Sequence, residues 1–466
     1  MSGEEPVDEV TDLEQAGPDD VVGLDHQQVR AVVGALDAGE VERVHDLIAV
    51  MHTADIADLI DLVGRPERRL LVEAMRGVLD PEVLAELSEE VLESVVEQLG
   101  PADVAAAVTE LETDDAVDLL EDLDEAGQRQ VLDAVPVPER AHIEAALAYP
   151  EDSAGRLMQR DLIAVPAFWT VGQTIDYMRD SDDLPDEFYE IFVVDPTHRP
   201  IGTVPLNRIM RTKRPVLVSA IMEAEPIRVE PGTDQEEVAY LFQQYDLASG
   251  AVVDASGRLI GVIMVDDVVD VIHEEAEEDI LRLAGVSETD INASIRTTTQ
   301  RRFIWLLINL MTAILASAVI AQFDAAIEKI VALAILMPIV ASMGGNAGTQ
   351  TMAVAVRGLA TRELTVTNAR RIVDKELVVG FFNGVLFALL VGLVAGFWFA
   401  DAALGGVIAA AMVINMLVAA LSGILVPLGF DRMGVDPAVA SSVFVTTITD
   451  VVGFLAFLGL AAGLLL

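Results

Sequence analysis

The apolar and polar positions along the chain fall into three regimes. From about Leu24 to Ala148 the apolar residues recur at helical spacing in short runs: Val41–Met51, Ala54–Val63, Glu67–Val78, Pro81–Leu87, Val91–Leu99, Ala102–Leu111 and Asp115–Leu123. Pro81, Pro101, Pro136 and Pro138 punctuate them, at helix starts or between helices. Many short helices on short turns predict a helical superhelix of repeat type over 24–150. Thr53 reads as an N-cap within it, and His52 as a surface residue. From Ser153 to Ile272 the pattern becomes short β runs between helices, and it repeats. Val193-Val194-Asp195 recurs as Val252-Val253-Asp254 and Ile201-Gly202 as Ile260-Gly261, while Leu157-Met158 and Ile221-Met222 open the two units. Units this short predict two halves that bury one another's exposed faces. Glu274 to about Ala284 then reads as one acidic helix leading towards Arg301-Arg302.

The third regime is five apolar stretches long enough to cross a bilayer: Phe303–Phe323, Ile330–Val356, Leu377–Ala400, Leu404–Phe430 and Ala438–Leu466. Arg301 and Arg302 precede the first, and Arg357, Arg362, Arg370, Arg371 and Lys375 fill the loop between the second and third. By the positive-inside rule the N-terminal domains and that loop are cytoplasmic, the C-terminus is outside, and the chain is a multi-pass protein of the plasma membrane. The expected architecture is multidomain. It comprises an acidic disordered tail (1–23), an all-α N domain (24–150), an α/β pair (151–272), a connecting helix and linker (273–300), and a five-helix membrane domain (301–466). Met1 to Asp20 is acidic and polar, which is neither a signal nor a transit peptide.

Charge sharpens this division. The chain carries 76 acids against 29 bases, a net of −47. Residues 301–466 are balanced, so the whole excess lies on the part that reads as soluble. Such a field repels nucleic acid and anionic surfaces and attracts cations. Two readings stay open: adaptation to high salt, with only three lysines in the sequence, and a cation sensor built from a subset of the acids. With no cysteine there is neither a disulfide framework nor a thiolate metal site. No Walker-type loop, nucleophile with base or metal-hydrolase motif is present, so an enzyme is not expected.

Candidate chemistry in the membrane centres on Asp450, near the middle of the last span. A carboxylate at mid-bilayer costs ~2.5–3.5 kcal/mol on insertion scales and therefore faces a polar interior. No base in its own span neutralises it, so a cation is its natural partner. Thr446 and Thr447 precede it at i, i+4 and i, i+3, a stripe of hydroxyls that suits a hydrated hard cation. One Asp per chain cannot cage an ion alone, whereas two symmetry-related chains would present two. In the second span Pro338 precedes Gly344-Gly345-Asn346-Ala347-Gly348-Thr349-Gln350. The glycine pair permits either close helix packing or local unwinding. Asn346 reads as a pore or dimer contact, and Asn309, Asn383 and Asn415 as interhelical hydrogen bonds.

The run Met433-Gly434-Val435-Asp436-Pro437-Ala438 with Phe444 to Gly453, the Gly344–Gln350 segment, and Ile272 to Val286 resemble the last two spans, the second span and the connecting helix of the MgtE magnesium channels. The paired repeat resembles a tandem CBS pair, and the domain order agrees. The resemblance implies a homodimer in the lipid bilayer with a pore on the dimer axis, Asp450 as the pore aspartate, and Asn346, Thr446, Thr447, Gly344 and Gly345 along the path. It also implies that cytoplasmic Mg2+ closes the pore by bridging acids of the N domain, the CBS pair and the connecting helix. Asp267 and Asp270 share one helical face, and Glu275, Glu278 and Asp279 another, where like charges repel unless an ion intervenes. Asp246 and Glu236 are regulatory candidates by resemblance, and Asp114 and Asp115 weaker ones in the N domain. The resemblance allows ATP at the CBS pair, although no nucleotide pocket is legible. The rival readings are a transporter of another divalent cation such as cobalt, which the absence of membrane-embedded His or Cys disfavours, and a nucleotide-sensing membrane regulator.

Overall fold

The computed structural model describes residues 23–181, 184–185, 187–284, 286, 295–365 and 367–466. The acidic tail and most of the linker after Ala284 lie outside the described residues. The chain divides into two compact units, Met1–Val271 and Ile272–Leu466.

The first unit opens with ten short helices: α1 (His26–Ala38), α2 (Val41–Ile48), α3 (Thr53–Leu62), α4 (Arg65–Met75), α5 (Glu82–Ala85), α6 (Glu89–Leu99), α7 (Pro101–Glu110), α8 (Thr113–Glu121), α9 (Glu125–Ala134) and α10 (Val137–Leu147). Their boundaries follow local chemistry. Asp25 and Gln28 form a reciprocal capping box on α1, and Gly39 ends it in the left-handed region at φ 71°. The cap of α3 is His52 rather than Thr53: its Nδ1 accepts from the Ala54 N–H at 3.3 Å. His52 is otherwise exposed, as expected. Arg68 is buried because it closes the other end of α3, donating to the carbonyls of Ile60, Asp61 and Val63 at 2.8, 3.1 and 3.2 Å. Helices pack on those two ahead as well as on their neighbours, α4 on α6, α7 on α9 and α8 on α10, around one continuous apolar core. This is the superhelical packing that the short amphipathic runs predict.

The second half of this unit holds the pair of repeats. The first contributes β1 (Ala164–Pro166), α11 (Val171–Asp180), β2 (Glu190–Val194), β3 (Pro200–Pro205) and α12 (Leu206–Arg211). The second contributes β4 (Glu223–Ala224), β5 (Arg228–Val229), α13 (Gln235–Tyr245), β6 (Ser249–Val253), β7 (Leu259–Met264) and α14 (Val265–Leu283). The sequence repeat is exact down to its irregularities. Val193 pairs with Gly202 and Val252 with Gly261, and each hairpin carries a bulge one residue later. Asp195 and Asp254 each close their turn by accepting two backbone N–H bonds, from Thr197 and Arg199 and from Ser256 and Arg258.

The repeats exchange their opening segments. The Met222 side chain covers Gly202 of the first repeat, and Met158 covers Gly261 of the second; a Cβ at either glycine would stand 2.9 or 2.8 Å from the sulfur. β4, which opens the second repeat, pairs with β3 of the first. Phe192, Ala251, Val262 and Met264 then bury the seam between the two sheets.

One difference from expectation lies at the end of the pair. The helix closing the second repeat and the acidic connecting helix are a single 19-residue α14. Val271-Ile272-His273-Glu274 contains no Gly, Pro or capping residue that would break it.

The second unit contains five helices of membrane-spanning length and hydropathy: α15 (Ile295–Ala321), α17 (Ala332–Ala360), α18 (Ala369–Trp398), α19 (Ala402–Arg432) and α20 (Pro437–Leu464), with a short α16 (Asp324–Lys329) between the first two. α19 is innermost, 61% of its most apolar window being buried against 6% for α15. It packs on α17, α18 and α20. α17 runs unbroken through Pro338 and Gly344-Gly345, so the local unwinding that the glycines permit does not occur. Gly344 serves close packing instead, whereas a Cβ at Gly345 would have room.

Candidate functional site

Carboxylates gather at two places, one in each unit. In the first unit they line the contact between α8 of the helical domain and the start of α14. Asp114 is 7% exposed, and neither of its carboxylate oxygens has a hydrogen-bond partner. Burial, then Asp267 and Asp115, push its carboxyl well above the usual range. Asp267 is pushed up to about 7 by burial and the neighbouring Asp266, against one helping bond from the Met264 N–H at 3.2 Å. Asp115 is raised to about 6 by burial and Asp118, with Glu82, Glu86 and Asp266 adding to it. Asp118 still reaches solvent but is raised by its crowded surroundings and by Asp270. Glu112, which accepts from the Gln159 amide, is pushed to about 7 by desolvation, Asp115 and Asp266. On α5's C-terminal flank Glu86 is raised by burial and Asp270.

The arithmetic of this contact is one-sided. An ion pair, Arg156 to Glu121 at 2.6 Å, ties the two parts beside the acids. Among the described residues no three His, Cys, Asp or Glu side chains converge tightly enough to cage a metal ion. The donor set nevertheless suits Mg2+, which takes oxygen ligands, retains several waters and needs only one or two carboxylates. The orphaned buried oxygens of Asp114 are the place where such a charge would relieve most.

Asp267 and Asp270 thus sit in this cluster beside Asp114 and Asp115. Glu112, Asp118, Asp266 and Glu86 were not singled out by the sequence; Asp114, Asp115 and Asp118 at i, i+1 and i+4 carried a signal easily lost in so acidic a chain. Glu236 and Asp246 are not brought together. Glu236 begins α13 and Asp246 caps its other end at φ 52°, some 15 Å apart at ~1.5 Å per residue, too far for one ion.

In the second unit the C-terminal part of α14 docks on the membrane helices. Arg282 pairs with both Glu278 and Asp436, and Leu283 packs beside Met352, Val356, Ala438 and Val445. Asp436 also caps α20, accepting from the Ala438 N–H at 2.7 Å. Asp279 is pushed up to about 6 by burial, then by Asp436 and Glu275.

Within the bundle, Asn415 of α19 is fully buried between two glycines. Its Nδ2 donates to the Val340 carbonyl at 2.8 Å, and a Cβ at Gly344 or Gly453 would stand 2.1 or 2.8 Å from that nitrogen. Gly344 is therefore a packing position joining α17 to α19, and Gly453 does the same for α20. Gly348 plays this part against Val445, where a Cβ would stand 2.5 Å from Cγ1. Gly345 lies against Thr446, its Cβ position 3.7 Å from the threonine Cγ2. Asn346 lies exposed on α17 in the single chain, as does Gln350 one turn on.

These contacts hold the face of α20 that carries Thr446, Thr447 and Asp450. Thr446 donates to the Ser442 and Val443 carbonyls at 2.9 and 3.1 Å, and Thr447 to Val443 at 2.6 Å. Their hydroxyl protons are used by the helix, which leaves the oxygens as acceptors. Asp450 is half-buried, and Arg282 pairs with Glu278 and Asp436 rather than with it.

Comparison with known proteins now decides the family. A model of the MgtE intracellular N domain matches residues 51–152, the CBS domain model matches 154–214 and 218–274, and the MgtE model, a divalent cation transporter, matches 337–460. The magnesium transporter MgtE of Thermus thermophilus is 33% identical over 438 residues, 92% of this chain and 97% of that protein. The chain belongs to the MgtE family. MgtE of Bacillus subtilis is 29% identical over 382 residues, 82% of this chain and 84% of that one. Among solved structures, the cytosolic domain of the Mg2+ channel MgtE in complex with ATP is 31% identical, covers 52% of this chain and 99% of its own, and aligns with a TM-score of 0.49. The helical N domain, CBS pair and five candidate membrane helices expected from the sequence are those of MgtE proteins.

Proposed function

We propose that this MgtE protein is a magnesium-selective channel that passes Mg2+ into the cytoplasm through a homodimeric pore in the plasma membrane. The observation that carries this reading is Asp450: a half-buried carboxylate inside a membrane helix, with threonine oxygens on the turn before it and, among the described residues, no ion pair to neutralise it. The repeated charge of a twofold dimer would give a hydrated divalent ion two such carboxylates. Thr446 and Thr447 would offer oxygens to its water shell, and Asn346, exposed in one chain, would face the path or the partner. Gly344 acts by letting α17 approach α19, and Gly345 leaves the surface beside Thr446 open.

The gate would be the acidic contact of α8 with α14, supplemented by Asp279, Glu275 and Glu278 where α14 docks on α20. Without an ion these carboxylates repel one another. Mg2+ bound among them favours the compact arrangement by its differential affinity for it. The N-terminal domains would be cytoplasmic and the C-terminus outside, and Asp246 and Glu236, at opposite ends of α13, would act independently of one another.

Magnesium flux into liposomes tests the pore: Asp450→Asn and Asp450→Ala should both abolish it. Undiminished flux in both, with the proteins folded and inserted, removes Asp450 from the path. A cobalt transporter would show the reverse order of ion preference in the same assay.

A further inference from the structure

A cleft of about 810 Å³ opens between the two CBS repeats, within the size range of small-molecule sites. Its pseudo-equivalent on the other side of the pair, which shares Tyr189, Glu190 and Ser249, is closed to about 10 Å³. The open cleft is therefore not a generic consequence of the repeat. The ATP that the family resemblance allows would belong here, and the residues present do not fit it. Among the described residues no lysine or arginine lines the cleft. Arg208, from the flanking α12, is held by Glu223 at 2.5 Å and by the Ile221 carbonyl at 2.9 Å. The charged lining is acidic: Glu190 from β2, Glu223 from β4, Glu225 after it, and Asp246 at the end of α13, beside the neutral Thr203, Asn207 and Ser249. A polyphosphate would meet four carboxylates and no free base, the opposite of what phosphate recognition requires.

We propose that this cleft binds a small organic cation with an aromatic or alkyl body, and that it rejects nucleoside polyphosphates. Aromatic rings and carboxylates occur together on its walls. Phe188, Tyr189 and Tyr245 offer ring faces, and Tyr245 is 58% exposed and open to a ligand. Ring faces attract desolvated cations, and neighbouring carboxylates add to that attraction. Glu190 is half-buried and accepts from the Ser249 hydroxyl at 3.0 Å and from Thr203. Burial raises its carboxyl and Glu223 adds to this, against the Ser249 and Thr203 hydroxyls and Arg208; the net direction is upward, so a cation beside it relieves the burial and the repulsion. A hydrated metal ion would satisfy the acids but leave the aromatic walls unused.

The test is titration calorimetry on the full-length protein in detergent, with EDTA and high salt to remove divalent ions and screen the diffuse acidic field. Phenyltrimethylammonium is the probe, with ATP, adenosine and Mg2+ alone as comparators. We expect one saturable phenyltrimethylammonium site per chain and no heat from ATP. Tyr245→Ala, at an exposed position that folding tolerates, and Glu190→Gln should each weaken the probe by about tenfold. Asp133→Asn, on the outer face of α9, should leave it unchanged. Failure of the probe to bind, equal affinity in Tyr245→Ala and Glu190→Gln, or ATP or adenosine binding more tightly than the probe would each overturn the proposal. So would stoichiometric displacement of the probe by Mg2+, which would make the cleft an inorganic cation site.

Discussion

The two acidic regions differ in the company their carboxylates keep. Between α8 and α14 at least six acids face one another with almost no base among them, and Asp114 is fully inside. On α20 one acid stands among threonines. A lone carboxylate at mid-membrane has few ways to be neutral other than a passing cation or a proton. A crowd of carboxylates has an additional one: its two halves can part. In the proposed function the same functional group would serve conduction where it is isolated, and sensing where repulsion can be relieved by movement.

The largest expected effect comes from removing the isolated acid. Asp450→Ala should lower Mg2+ flux into liposomes by about a hundredfold or more, since the cost of bringing an ion to mid-bilayer without its counter-charge is several kcal/mol. Asp450→Asn keeps the shape and should fall nearly as far. If Asn conducts like the native residue, charge is not what the site supplies.

In the crowded region the opposite is expected: losing a charge should help the contact. Asp114→Asn removes a buried, unpartnered carboxylate, worth on the order of 1–3 kcal/mol when ionised. At pH 8 and without Mg2+ its thermal midpoint should rise, and the residue 270–284 segment should resist protease at lower Mg2+ than in the native protein. Unchanged proteolysis at every Mg2+ concentration would dissociate Asp114 from the sensor.

The pH dependence sharpens the same contrast. Glu112 and Asp267, raised to about 7, and Asp115, raised to about 6, bind protons more tightly in the folded contact than in a separated one. Their penalty is full above pH 7. It is relieved as the pH falls towards the ordinary carboxylate range near 4, so the contact gains stability on acidification over that window. The groups facing them are themselves acids, Asp266, Asp118, Glu82 and Glu86, so no base reverses the sign. Metal-free protein should therefore become protected from protease between about pH 7.5 and 5, and Mg2+ should add progressively less as the pH falls. Protection that weakens on acidification would contradict this.

The smallest effect is expected where α14 meets α20. Arg282 is partly exposed and its pairs with Glu278 and Asp436 are worth no more than about 1 kcal/mol together. Arg282→Gln should raise the Mg2+ needed to close the channel by a few-fold at most, measured as residual flux at high internal Mg2+. A loss of flux comparable with Asp450→Ala would mean that Arg282 does more than steady the helix.

How much of this was readable in the chain depends on whether the signal was local. Amphipathic runs in the N domain, the repeat that aligns Val193 with Val252, and the five apolar stretches need only sequence neighbours, and each became an element near its expected bounds. Asp267, Asp270 and Asp450 were legible because an acid on an apolar or like-charged face is anomalous in itself. The start of α3 is not legible for a related reason: both His52 and Thr53 can cap, and only backbone geometry separates them.

The sequence by itself therefore determined the family, the order of domains, the number of spans and the presence of one uncompensated carboxylate in the last of them. Only the tertiary structure decided what each residue meets. It joined the two helices around Val271 into one, exchanged Met158 and Met222 between the repeats, turned Gly344 and Gly453 into seats for Asn415, and set Asp114 against Asp267. Periodicity and composition are carried by adjacent residues, whereas these pairings close over stretches of chain whose spacing says nothing of the distance between their side chains.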